Sequence, residues 1–256
     1  MFPISDDNPR VNVPIATFVI IGMNVLVWLL VQGLGSPRAL AESLCMYALI
    51  PGELLGNADP GTQIQVGTNL LCRLDGSGNA ASLFTSMFMH GGWFHIIGNM
   101  WFLWIFGDNV EDEVGPVRFA IFYVLCGLAA AAAQMFSNPQ SLVPMVGASG
   151  AIGGVMGAYA LMFPRTKVNV LIFLGFIVTT ISVPAIFMLG YWFLLQIVMG
   201  VPALGSEGGG VAFWAHAGGF LAGLGLISLF RGAGRRGPPG PRRRHSGSGD
   251  SGGRWF

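Results

Sequence analysis

Between Pro14 and Phe230 the chain is a succession of apolar runs, each close to the roughly 20 residues a helix needs to cross a hydrocarbon core about 30 Å thick. A backbone in hydrocarbon must satisfy its own hydrogen bonds, so runs of this kind are expected to be helices. The runs predict spans at about Pro14–Val31, Gly92–Phe106, Val117–Phe136, Ser149–Phe163, Pro184–Val198 and Val211–Phe230. Composition points the same way. Only 10% of the 256 residues are charged, against roughly a quarter in soluble proteins, and 39 are glycine, the residue that lets membrane helices approach closely. The balance excludes a soluble globular fold, a nucleic-acid binder and an intrinsically disordered chain. The expected fold class is an all-α polytopic membrane protein with a six-transmembrane-helix bundle.

The first run begins without a basic segment and ends without a small-residue cleavage site, which reads as an uncleaved anchor. The stretch from Val168 to Gly200 is too long for one helix and too short for two with a loop. Pro184 divides it; the β-branched, aromatic part before it reads as interfacial or extended, and the fifth span follows. Seven spans are the alternative. Of the 13 Lys and Arg, six spans leave only Arg38 and Arg73 on one face and gather the rest on the other. The positive-inside rule makes the richer face cytoplasmic. Seven spans would separate Arg165 and Lys167 from the arginines of the tail, which counts against them.

The domain expectation is therefore a cytoplasmic segment at 1–13, a membrane domain at 14–230 and a basic, disordered cytoplasmic tail at 231–256. The long first loop, about 33–91, is extracytoplasmic and packs on the membrane surface. It contains Cys45 and Cys72, free to pair or not in an oxidising compartment. Without a recognisable transit peptide, the expected home is a bacterial plasma membrane.

Polar groups are costly in hydrocarbon, so those inside the runs are the functional candidates. They are Asn24, His95, Asn99, Gln134, Ser149, Gln196 and His216. Asn24, Gln134 and Gln196 read as hydrogen bonds to neighbouring helices. His95 and Asn99, at i and i+4, stand on one helix face and look into a shared polar site, with an interhelical hydrogen bond as the competing reading. Ser149 lies among glycines where a loop enters the fourth run. A tight turn there leaves its hydroxyl and the first backbone N–H groups free to stabilise an oxyanion; a serine N-cap is the plainer alternative. Ser149, Gly153 and Gly157 form a small-residue seam, and His216, Gly219 and Gly223 form a second. If the seams pack together, His216 reaches Ser149 as a general base.

In this combination the chain resembles the rhomboid intramembrane serine proteases. The residues that carry the resemblance are His90, His95 and Asn99 in His90-Gly-Gly-Trp-Phe-His-Ile-Ile-Gly-Asn99, Glu111 between Gly107 and Gly115, Gly147-Ala-Ser-Gly150, and Ala215-His-Ala-Gly-Gly219. The resemblance implies a rhomboid-like bundle with Ser149 as nucleophile, His216 as general base and acid, and an oxyanion hole of His95, Asn99 and the Ser149 N–H. It gives His90 a structural role and makes Glu111 a support for the second span. Gly147, Gly150, Gly153, Gly157, Gly219 and Gly223 serve as structural supports of the site. No cofactor or metal is implied. The partners are transmembrane protein substrates and the lipid bilayer, with no nucleic acid and no oligomeric state specified. One departure is visible: the Trp-Arg pair of some members, shortly before the first histidine, is replaced by Ala81-Ser-Leu-Phe-Thr85.

The expected reaction is hydrolysis of a peptide bond in or near the outer end of a transmembrane helix that has first unwound. The fifth span and the 200–210 loop are candidates for a gate. Glu207 is the one acid near enough in sequence to His216 to turn the dyad into a triad. Two rivals remain: a catalytically silent rhomboid-like protein that binds transmembrane clients, and a small transporter. The first should lack the serine or the histidine. The second should show an inverted repeat or an intramembrane acid, and neither is visible in the sequence.

Overall fold

In the computed structural model, which describes residues 2–231 apart from 67–69, 77, 176, 203 and 205–210, each apolar run carries a helix. In chain order the elements are β1 (Phe2–Asp6), α1 (Ile15–Leu30), α2 (Pro37–Tyr47), α3 (Pro51–Leu54), β2 (Gln63–Val66), β3 (Leu70–Arg73), α4 (Ser82–Thr85), α5 (Trp93–Val114), α6 (Pro116–Ser137), α7 (Ser149–Met162), β4 (Lys167–Leu174), β5 (Ile177–Pro184), α8 (Ala185–Gly200) and α9 (Phe213–Phe230). The fold is mostly helical. By length and apolarity α6 and α9 suffice to cross a membrane, while α1, α7 and α8 are apolar but shorter. The core lies where α5, α6 and α7 meet and is filled by Leu103, Phe106, Phe119, Phe122, Val155 and Tyr159.

Helix α5 runs two turns past its predicted end at Phe106 and so carries Asp108, Glu111, Asp112 and Glu113. It stops at Gly115, whose φ of 86° is left-handed, and Pro116 opens α6 in the first-turn position where a missing N–H costs nothing. Asp108, Glu111 and Asp112 are tolerated because they have partners: Asp108 pairs with Arg10 at 3.4 Å, and Asp112 accepts the backbone N–H groups of Val11 and Asn12. Buried Glu111 accepts the backbone N–H groups of Ala16 and Thr17 at 2.8 and 2.7 Å and the Thr17 hydroxyl at 2.8 Å. It thus supplies the N-terminal cap of α1 that Pro14 cannot, and places an anion at the positive end of that helix. The support expected for the second span is in fact a link from the second long helix to the first. Asn24 also differs from expectation: its amide donates to Ile20 O of its own helix at 2.8 Å rather than to a neighbour.

The stretch before Pro184 is extended, as a hairpin of β4 and β5. The N-terminal residues add a third strand, β1, antiparallel to β4 with Phe2 opposite Leu171 and Asp6 opposite Val168, and an irregularity between Pro3 and Ser5. Val168 and Val170 are fully buried and seat the sheet on the bundle. The first loop holds a small core of its own, with Ala41, Ile50, Ile64, Val66 and Leu74. Cys45 and Cys72 form a disulfide from α2 to β3. Cys126 is free and buried in α6. The tail after Arg231, read from sequence as disordered, lies outside the described residues.

Asp6 ties the sheet to the bundle by accepting the hydroxyl of Tyr159 on α7. Burial raises its carboxyl from 3.8 to about 6; the Tyr159 hydroxyl opposes the rise, and Asp108 and Asp7 add to it. A carboxyl raised in the folded state binds its proton more tightly there than in the unfolded chain. Its contribution to stability is therefore complete below pH 3.8 and is lost as the pH climbs through about 6. Unfolding midpoints followed across that window should show Asp6→Asn gaining on the wild type as the pH rises. A constant difference between the two would remove Asp6 as the titrating group.

Candidate active site

The site begins with glycine. A side chain on Gly219 or Gly223 would fall on the backbone oxygens of Gly150 and Gly154, one on Gly157 would fall on Phe220 O, and one on Gly153 would lie 2.9 Å from His216 O. The two seams therefore pack backbone to backbone along α7 and α9, at a separation only glycine permits. The contact sets the N-terminal ends of both helices side by side, with Ser149 in the first turn of α7 and His216 in the first turn of α9. Gln134 on α6 holds the second of these ends by accepting the N–H of Ala215 at 3.2 Å. This is the neighbouring-helix bond expected of it.

Ser149 does not cap its helix. Ala148 occupies that position, and the Ser149 Oγ lies 2.8 Å from His216 Nε2. The other imidazole nitrogen, Nδ1, is 2.9 Å from Oε1 of Gln196 on α8. One turn earlier on α8, the Trp192 ring lies against the imidazole with centroids 5.8 Å apart. Gln196 does bond to a neighbouring helix, as a glutamine in a membrane run should, but its partner is the histidine of the site. The i, i+4 spacing of Trp192 and Gln196 showed in the sequence only that the two share one face of α8, not which residue that face meets. Glu207 and most of the 200–210 loop lie outside the described residues. Among those described, no carboxylate is hydrogen-bonded to His216 and no cluster of His, Cys, Asp or Glu could hold a metal.

Across the site, His95 Nδ1 accepts the N–H of Gly91 at 3.2 Å, which leaves Nε2 as the protonated nitrogen of a neutral ring. A side chain on Gly147, whose φ is 128°, would lie 2.7 Å from His95 Nε2 and 3.4 Å from Ser149 Oγ, so the glycine keeps open the space between them. Asn99 is buried, and its Nδ2 has no hydrogen-bond partner in the structure. Both residues line the cavity of about 670 Å³ that also exposes Ser149 and His216. His90 is fully buried with its ring edge-on to His95 at 5.1 Å. Its main chain is clasped by Gln32, which accepts the His90 N–H and donates to His90 O, both at 2.8 Å. Gln32 went unread in the sequence because it lies just past the end of α1, outside any motif.

A hydroxyl hydrogen-bonded to an imidazole, opening on a cavity with N–H donors on the opposite wall, is an arrangement suited to acyl transfer. The rhomboid domain model matches residues 77–232, which takes in His90, both faces of the cavity and α9. The chain belongs to the rhomboid family. Rhomboids are generally intramembrane serine proteases acting on membrane proteins in the bilayer. The Arabidopsis thaliana RHOMBOID-like protein 5 is 31% identical over 62% of this chain and 47% of its own length. The Arabidopsis RHOMBOID-like protein 1 is 30% identical over 58% and 34%. The Saccharomyces cerevisiae mitochondrial Rhomboid protein 1 is 27% identical over 56% and 40%. The chain thus spans less than half the length of these relatives. They are plant and yeast proteins, one of them mitochondrial, and this overturns the expected bacterial plasma membrane. That expectation rested only on no transit peptide being recognisable in the sequence, which carries no information about the compartment.

Proposed function

We propose that this rhomboid is an intramembrane serine endopeptidase that cleaves peptide bonds in or near transmembrane helices of other proteins. The observation that carries the reading is the 2.8 Å contact of Ser149 Oγ with His216 Nε2 at the edge of the cavity. Ser149 attacks the scissile carbonyl as His216 takes its proton. His216 then returns the proton to the leaving amine, and water hydrolyses the acyl-enzyme by the same route in reverse. The oxyanion receives the Nε2–H of His95, the free Nδ2 of Asn99 and the N–H of Ser149 in the first turn of α7.

In this reading the six long helices all cross the bilayer. The first loop then lies on the face where the cavity opens, and both the N-terminal segment and the tail lie on the other. The scissile stretch must leave its helix before attack, so residues of low helix propensity near the cut favour cleavage.

A fluorophosphonate probe tests the chemistry directly: it should label the detergent-solubilised protein at Ser149. Absence of labelling in folded protein would sink the reading. Asn99→Ala should slow cleavage by at most the worth of one oxyanion donor, roughly 2.7–4 kcal/mol in the activation barrier. An unchanged rate in a kinetic assay would return Asn99 to a purely structural place.

A further inference from the structure

Which nitrogen of His216 carries the proton decides whether the imidazole can act as a base, and the surroundings of Gln196 settle that question. The Gln196 Nε2 lies 3.2 Å from the backbone oxygen of Trp192, a group that can only accept. The amide must therefore turn its NH2 towards Trp192 and its oxygen towards His216. That oxygen, 2.9 Å from Nδ1, can only accept, so Nδ1 is the nitrogen that bears hydrogen. The lone pair is then on Nε2, which faces the Ser149 hydroxyl at 2.8 Å. In the other tautomer two acceptors would meet at Gln196, and an N–H would confront the hydroxyl that has to be deprotonated.

We infer that Gln196 is a positioning residue that fixes His216 in the tautomer with a basic Nε2, making α8 the fourth helix of the site beside α5, α7 and α9. The inference rests on the Ser149–His216 hydrolase reading. An amide suits this position better than a carboxylate. It offers the same acceptor without placing a charge inside the bilayer, where charge is costly. Gln196 is only 8% exposed, and Trp192, which anchors its NH2 end, also covers one side of the imidazole ring.

The test uses the full chain in detergent or in vesicles. Gln196→Met keeps the length and shape of the side chain but removes the acceptor; Gln196→Glu restores an acceptor. With ¹⁵N-labelled histidine, the wild type should show His216 with a protonated Nδ1 and an unprotonated Nε2, and Gln196→Met should show a mixture of tautomers. On a model transmembrane substrate, Gln196→Met should lose about 10²-fold in kcat, the scale of a misdirected catalytic group, with KM unchanged. Gln196→Glu should recover most of the rate. A purely structural role would lower the unfolding midpoint without altering the tautomer, and it would show no rescue. Wild-type kcat in Gln196→Met, or a wild-type His216 protonated on Nε2, overturns the inference. A wild type that neither cleaves nor takes a fluorophosphonate overturns the hydrolase reading instead, and the nitrogen spectrum still decides the Gln196 contact.

Discussion

Ser149→Ala and His216→Ala are each expected to abolish cleavage of a model transmembrane substrate, with a fall in kcat on the order of 10⁶-fold. Losses of that size arise in serine proteases when one member of a unit is removed, because the remaining members no longer have a reaction to assist. The Ser149 change should leave the fold intact. Its hydroxyl caps nothing, since Ala148 stands at the cap of α7, and alanine is a better helix former than serine. Cleavage assays with matched unfolding curves check both variants. Activity surviving in either, in folded protein, would refute the dyad.

Gly219→Ala should also impair cleavage, by about 10²-fold, although it adds only one methyl group and lies away from the reacting atoms. The new Cβ would fall on the carbonyl oxygen of Gly150, the residue after Ser149, and a backbone oxygen in a helix cannot rotate aside. The helices must part. Overpacking of this kind costs about 1–3 kcal/mol in stability. A shift of about 1 Å between Ser149 and His216 would slow the reaction about 10²-fold. Gly225→Ala, on the same helix, is the control, because nothing lies within 4 Å of the place its methyl group would take. It should be neutral or slightly stabilising, since alanine is the better helix former by roughly 1 kcal/mol. If the two variants behaved alike in thermal unfolding and in the cleavage assay, the seam would not be what holds the site together.

The seam was legible in the sequence because helical spacing converts directly into a shared face: Ser149, Gly153 and Gly157 needed only a partner, and His216, Gly219 and Gly223 supplied it. The six long helices were legible for the same reason, apart from the end of α5, whereas α2, α3 and α4 of the first loop went unread. In α5 the predicted span stopped at Phe106, short of Asp108, Glu111 and Asp112, whose partners in α1 and the N-terminal segment could not be seen from local sequence. Partnerships across long separations stayed hidden throughout. Gln196 was visible as a buried polar group, but nothing in α8 alone says that its oxygen meets His216. The extended character of the stretch before Pro184 followed from its β-branched residues. Its third strand, at the far end of the chain, did not, because strand pairing depends on register between segments rather than on either segment alone.

That third strand also sets an order of events during synthesis. Ser5 meets Asn169 across the sheet at 3.1 Å, and the two are 164 residues apart. At roughly 5–20 residues per second, the ribosome delivers the partner strand on the order of ten seconds after the first. Through that interval Phe2–Asp6 has no strand to pair with and Asp6 has no Tyr159 to receive. The strand made before its partner is therefore among the last to settle, and its docking follows the arrival of the helix that carries the serine.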